Sequence, residues 1–192
     1  MRRIISFVHI SLDGFVAGPN GEMNWITINE EIFEHVGKRI NKGDTALYGR
    51  VTFDMMEGYW PTAGQKPNAS DHDRNHSKWY SEVHKIVLSR SLAGTTRADM
   101  TVISDNLADR IRAIKEAPGS GEDILVFGSP GATHALLQEN LIDGYWFFVN
   151  PVVLGTGIPL FKNVQDKMKL EFEGTHVFKC GVVELRYGVK GR

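Results

Sequence analysis

The chain is poor in cysteine, and that shortage sets its first limits. Cys180 stands alone among 192 residues, so an internal disulfide and a cysteine-based zinc site are both excluded. Excess charge is lacking too. Lys and Arg number 22 against 23 Asp and Glu, a net charge of −1, which offers no electrostatic attraction to nucleic acid or an anionic membrane. No apolar run reaches the roughly 20 residues that a membrane helix needs. The apolar run at residues 4–10 contains His9 and is soon followed by Asp13, so it reads as a first strand and not as a secretory signal. Repeats and low-complexity segments are missing as well.

What remains is the ordinary material of a packed core. A hydrophobic content of 42 % suits a globular fold, and 192 residues suffice for one domain. We expect a single domain over residues 1–192, in a reducing cytoplasm.

The most informative stretch is 123–161. Residues 124–127 are apolar and long enough for one buried strand. Gly128, Ser129, Pro130 and Gly131 break it. Residues 132–140 then carry apolar side chains at helical spacing, and 145–154 return to strand composition. Strand, glycine turn, helix and strand make a βαβ unit, the building block of parallel sheets. Gly128 and Gly131 permit close backbone approach, and the helix that follows presents free N–H groups to an anion.

Two more strand ends look alike. Residues 45–48 form a short strand followed by Gly49, Arg50, Val51 and Thr52 at a helix start. The guanidinium can fork onto phosphate oxygens, and Thr52 adds a hydroxyl. Residues 85–89 form a strand ending in Ser89, Arg90 and Ser91. In an open α/β sheet, ligands bind outside the carboxyl ends of the strands. One dinucleotide phosphate chain then touches all three groups if the strands are parallel.

Elsewhere, residues 4–10 form a central strand in which His9 is a core or pocket-lining residue. A loop with glycines at both ends, 14–21, is suited to moving over a site, and Trp25 closes it. Asn29 caps a helix with Glu30 and Glu31 in its first turn. Gly58 and Pro61 end the helix begun at Phe53. Residues 62–78 read as an exposed excursion. His72 and His76 within it lack a third ligand, so no metal site is expected. Asn106 caps another helix, and Pro118–Gly121 leads back to the central stretch. Residues 167–178 and 182–189 alternate like an antiparallel hairpin at a sheet edge.

These motifs together resemble the dihydrofolate reductase-like superfamily, in particular the branch containing the reductase domain of riboflavin biosynthesis. The resemblance covers nearly the whole chain. Residues 47–53, from Leu47 to Phe53, are similar to the junction that holds the NADPH pyrophosphate. Residues 86–91 resemble the segment whose Ser and Arg hold the 2′-phosphate. Residues 126–129 look like the second phosphate turn, where the family often has glycine at the place of Ser129. Residues 150–161, and Ser11 to Gly14 followed by Trp25 to Thr27, resemble the riboflavin branch.

The resemblance implies a three-layer αβα fold with a mostly parallel sheet and an antiparallel C-terminal edge hairpin. It implies an NADPH-dependent oxidoreductase that transfers hydride to a C=N or C=O bond of a small heterocyclic substrate. Gly49, Arg50, Thr52, Ser89, Arg90, Gly128, Ser129, Pro130, Gly131, Ala132 and Thr133 would hold the cofactor. Trp25 and Asn150 would line the substrate side, with Glu30 and Asp13 as acids. Glu30 lies five residues after Trp25, the spacing of the folate reductases' carboxylate. The riboflavin enzymes carry an arginine near Asn29, Glu30 and Glu31, and an acidic segment repels a phosphorylated substrate. Two rivals stay open: 5-amino-6-(5-phosphoribosylamino)uracil reductase itself, and a nucleotide-binding or redox-sensing module without chemistry. A homodimer is expected, because residues 145–153 and the hairpin offer surplus apolar surface.

Overall fold

The computed structural model describes residues 1–118 and 121–191. Gly119 and Ser120 of the expected turn lie outside them. The elements in chain order are β1 (Ile4–Ser11), β2 (Phe15–Ala17), α1 (Glu30–Ile40), β3 (Thr45–Gly49), α2 (Arg50–Ala63), α3 (Asp71–Glu82), β4 (His84–Leu88) and β5 (Met100–Ile103). They continue with α4 (Leu107–Glu116), β6 (Ile124–Phe127), α5 (Pro130–Gln138), β7 (Gly144–Asn150), β8 (Ile158–Pro159), β9 (Leu170–Val177) and β10 (Val183–Val189).

An 8-stranded sheet runs in the order β5-β4-β3-β6-β1-β7-β10-β9. Every pair from β5 to β7 is parallel; β10 runs antiparallel to both β7 and β9. The central strands are buried on both faces, which explains why β1, β3 and β6 are apolar almost throughout. On one face, Ile32, Val36 and Ile40 of α1 and Trp79 and Tyr80 of α3 pack with Tyr48, Phe127 and Phe148. On the other, Ile111 of α4 and Ala132 and Leu136 of α5 pack with Ile4, Val8 and Val126. The expected three-layer αβα architecture with its edge hairpin is thus present.

Three local expectations fail for physical reasons. The helix from Arg50 runs through Gly58 and Pro61 to Ala63. Its last turn is held by packing, since Ala63 is buried and the Ser77 hydroxyl donates to the Trp60 carbonyl at 2.7 Å. The stretch read as an exposed excursion contains α3, begun by a reciprocal capping box between Ser70 and Asp73. That helix buries His76, whose ring lies 4.1 Å from Trp60 and 4.9 Å from Trp79. Strand β7 stops at Asn150 because Pro151 has no N–H to continue the ladder.

Burial lowers the pKa of His76 to about 3 and that of His9 to about 4. In the unfolded chain both take up protons near pH 6.5. The unfolded state therefore binds more protons between these values, and stability falls as pH falls from about 6.5 toward 4. We expect urea midpoints to decline across that window, before the carboxylates titrate. A His76→Leu variant should flatten the decline; an unchanged slope would show that His76 does not cause it.

Candidate functional site

The parallel strands direct their carboxyl ends to one edge, and a cleft of about 650 Å³ lies there. It is lined by Gly49, Arg50 and Thr52 after β3, Ser89 and Arg90 after β4, and Ser129, Pro130, Gly131 and Ala132 after β6. The structure thus brings together nine of the residues expected from the sequence. It adds Ser104, Asp105, Asn106 and Leu107 after β5, and Ile158 of β8.

The helix starts around this cleft share one property. Helices α1 and α3 are capped by their own side chains, Asn29 and Ser70. Helices α2, α4 and α5, which open onto the cleft, have no side-chain cap bond. Asn106 does occupy the N-cap of α4, but at a φ of 47° its side chain makes no cap bond, against the expectation. Uncapped helix starts leave N–H groups and positive dipole ends free for an anion.

Two of these starts are tied together. The Ser129 hydroxyl accepts from the Gly49 N–H at 3.0 Å, joining the β3–α2 turn to the β6–α5 turn. Ser129 pays for this with a φ of 49°, a left-handed conformation. Gly128 before it has a φ of 53°, which glycine adopts without steric cost. Thr133 corrects the expected set. It is fully buried beneath the turn, with Oγ1 3.4 Å from Ser6 Oγ and from the Gly128 carbonyl, so its hydroxyl faces the core. Gly128 stands behind the cleft wall and not among its lining residues.

The two cleft arginines differ. Arg50 pairs with Asp54 one turn along α2, both about half exposed. Arg90 is exposed and makes no ion pair among the described residues. Ser89 shapes the turn that presents it: Ser89 Oγ accepts from the Leu92 N–H at 3.2 Å and lies 3.2 Å from Ser91 Oγ.

The residues expected on the substrate side play other parts. Asp13 accepts from the backbone N–H of Leu154 at 3.1 Å and of Gly155 at 2.7 Å. The Ser11 hydroxyl and these N–H groups hold its carboxyl below the usual range. A carboxylate so held is a poor proton donor, which corrects its expected acid role. Together with the β2–β8 pairing, it fastens the glycine-bounded loop that was expected to move. Asn150 is fully buried. Its Oδ1 accepts from the Thr27 N–H at 2.8 Å, and its Nδ2 donates to the Phe148 carbonyl at 3.0 Å. It ties the loop to the strand ends instead of facing a ligand. Trp25 is half-buried and donates to the Glu22 carbonyl at 3.0 Å. Glu30 is exposed and lines a separate groove between α1 and α3 with Phe33, Asp71 and His72. That position gives no support to a proton-donor role.

Comparison with known proteins now bears on this arrangement. Residues 2–184 match the family model of the RibD C-terminal domain. The chain belongs to the RibD C-terminal domain family. Its relatives include the uncharacterised protein YyaP of Bacillus subtilis, 32 % identical over 190 residues, covering 99 % of this chain and 96 % of that protein. The uncharacterised YwjB of the same organism is 26 % identical, covering 97 % of both. Among solved structures, a protein from Shewanella sp. PV-4 that carries a riboflavin-biosynthesis name superposes with a TM-score of 0.73 at 21 % identity, covering 98 % of this chain and 99 % of that one. The deaminase/5-amino-6-(5-phosphoribosylamino)uracil reductase of Thermotoga maritima has a TM-score of 0.66 at 14 % identity. This chain matches over 98 % of its length and covers 56 % of that protein. These structural likenesses establish the fold. Family membership makes the chain an oxidoreductase of the riboflavin-reductase kind.

Within this RibD C-terminal domain, sequence reasoning missed the strand end after β5. Its signal was present: Ser104, Asp105 and Asn106 follow a short strand and precede a helix, as at the other junctions. Among the described residues, no group of three or more His, Cys, Asp or Glu is placed to hold a metal ion.

The bond between Ser129 and Gly49 has a measurable consequence. A Ser129→Ala variant keeps the strained φ but loses the acceptor, and should lose about 1–2 kcal/mol of stability. Ser129→Gly relieves the strain and should lose less. Urea denaturation distinguishes them, and equal midpoints for both variants and the parent would deny the bond a stabilising role.

Proposed function

We propose that residues 1–192 act as an NADPH-dependent reductase that passes hydride to a C=N or C=O bond of a small heterocyclic substrate. One observation carries this reading: three uncapped helix starts and Arg90, which has no ion pair among the described residues, converge on a single cleft. Such a donor set fits a dinucleotide that carries an additional phosphate. The bound nicotinamide would supply the hydride; the chain would supply position and electrostatics.

In this reading the N–H groups of Val51, Thr52, Gly131 and Ala132 hold the pyrophosphate, as do the Thr52 hydroxyl and Arg50. Asp54 keeps the Arg50 side chain along the first turn of α2, close to where it is needed. Arg90 takes the 2′-phosphate, with Ser89 fixing the turn beneath it. Leu88, Ile103, Leu107 and Ile158 give the cleft apolar walls for the planar parts of the cofactor.

The segment 29–31 bears on the substrate. It has Asn29, Glu30 and Glu31 where the riboflavin enzymes carry an arginine; Glu30 lines the separate groove beside α3, and the Glu31 carboxylate accepts from the Lys179 N–H at 3.2 Å. Lacking that arginine, the site proposed takes an uncharged substrate in preference to a phosphorylated one. We place the activity in the cytoplasm; no helix among the described residues is long and apolar enough to cross a membrane.

The dimer proposal changes its seat. Trp146, Phe147 and Phe148 are buried within β7, which is paired on both edges, so they offer no surface. The sheet ends at β9, where Phe172 is 63 % and Val177 67 % exposed. Homodimerisation is proposed through that open edge.

Two experiments test these readings. Arg90→Ala should weaken NADPH at least tenfold and leave NADH nearly unchanged, whereas Arg50→Ala should weaken both. Equal losses for the two dinucleotides in Arg90→Ala would remove Arg90 from the 2′-phosphate. Light scattering at micromolar concentration should give the mass of two chains, and a double Phe172→Lys, Val177→Lys variant the mass of one. A parent protein that already has the mass of one chain would deny the dimer.

A further inference from the structure

His9 lies two residues beyond the point where β1 loses its neighbour. Strand β6 pairs with β1 only from Ile4↔Ile124 to Phe7↔Phe127. A last bond runs from the Gly128 N–H to the Phe7 carbonyl at 2.9 Å, and the chain then turns away into α5. Strand β1 continues to Ser11, paired with β7 alone. His9 is therefore next to the Gly128 turn, on the sheet face that carries Phe7 and Phe148. Its ring stacks on Phe148, the residue opposite it, at 5.0 Å and 26°.

One ring nitrogen is fixed. The Asn150 amide cannot be reversed, because its Oδ1 accepts from the Thr27 N–H while its Nδ2 faces the carbonyls of Phe148 and Ile10. That same Nδ2 lies 3.3 Å from His9 Nδ1. An amide NH2 offers no acceptor, so a proton on Nδ1 would face another proton there, and the neutral ring carries its proton on Nε2. Nε2 has no protein partner among the described residues and is not sealed in the core. Burial also lowers the pKa of the ring to about 4, so it stays neutral at physiological pH.

A neutral ring stacked on an apolar wall, with one fixed N–H left over, is a hydrogen-bond donor awaiting an acceptor. We propose that His9 Nε2–H binds a carbonyl oxygen of an uncharged heterocyclic substrate and positions it beside the Gly128 turn, where β1 and β6 part, with Asn150 fixing the tautomer. This rests on the reading of the cleft as a dinucleotide site. The carboxamide oxygen of the nicotinamide offers the same acceptor chemistry, so the experiment must separate the two sources.

The probe is 5,6-diaminouracil, a phosphate-free pyrimidinedione, added to histidine-15N-labelled protein before and after saturation with NADPH. Imidazole 15N–1H correlations at pH 7 should show His9 in the Nε2–H tautomer. The Nε2–H signal should shift when 5,6-diaminouracil is added to the NADPH complex. His9→Phe should bind NADPH within about twofold of the parent and bind 5,6-diaminouracil about tenfold more weakly, the loss of one neutral hydrogen bond. His9→Gln, which retains a donor, should recover part of that loss. An Nδ1–H tautomer, a shift completed by NADPH alone, no binding of 5,6-diaminouracil to the NADPH complex, or equal affinity in His9→Phe would each overturn the proposal. Failure of the parent to bind NADPH would sink the cofactor reading instead, and the spectra of the free protein would still report the tautomer.

Discussion

The cleft depends on six neighbouring strands running in the same direction. Parallel neighbours cannot be joined by a tight turn, so each connection must cross back over the sheet, and most here use a helix. The crossovers put the helices that start within a few residues of a parallel strand at one edge. Helices α2, α4 and α5 therefore open side by side around the cleft. Their positive ends accumulate where an anionic ligand would need them, without any one of them being an unusual helix.

The distribution of caps shows what this arrangement costs. An N-cap side chain typically stabilises a helix by about 1 kcal/mol. Helices α1 and α3, away from the cleft, have such caps, and α2, α4 and α5 lack them. Stability is given up at the helix starts that face the cleft. Part of it returns through the bond from the Gly49 N–H to Ser129 Oγ, which holds two of the turns in fixed relation. Beyond the cleft, Asp13 and Asn150 tie the loops that follow β1 and β7 to each other and to the strand ends. Both resemble functional groups in the sequence, yet both spend their polar atoms on backbone partners.

The phosphate-type junctions were legible because each combines signals within a few residues. Gly49 to Thr52 and Gly128 to Ala132 each follow a short apolar run and open a helical pattern. The acid candidates were not legible in the same way. Spacing from Trp25 singles out Glu30, but spacing along a chain does not say which groove a helix face meets. Helix α1 lays Ile32, Val36 and Ile40 against the sheet, and Glu30 falls beside α3. Helix α3 itself was hidden by its polar composition, since its buried residues include His76 and Ser77. The signal missed there was the capping pair Ser70 and Asp73.

The sequence by itself determined the parallel α/β class, the strand ends that carry glycine, serine and arginine, and the C-terminal hairpin. These follow from local rules: side-chain period, backbone freedom at glycine, and the unmet N–H groups of a helix start. Tertiary structure alone decided which polar side chains remain available. Thr133, Asn150 and Asp13 were taken by neighbours distant in the chain, while Arg90 and Nε2 of His9 were left without a partner among the described residues. A hydrogen bond needs two atoms about 3 Å apart, and only the folded chain sets which two those are.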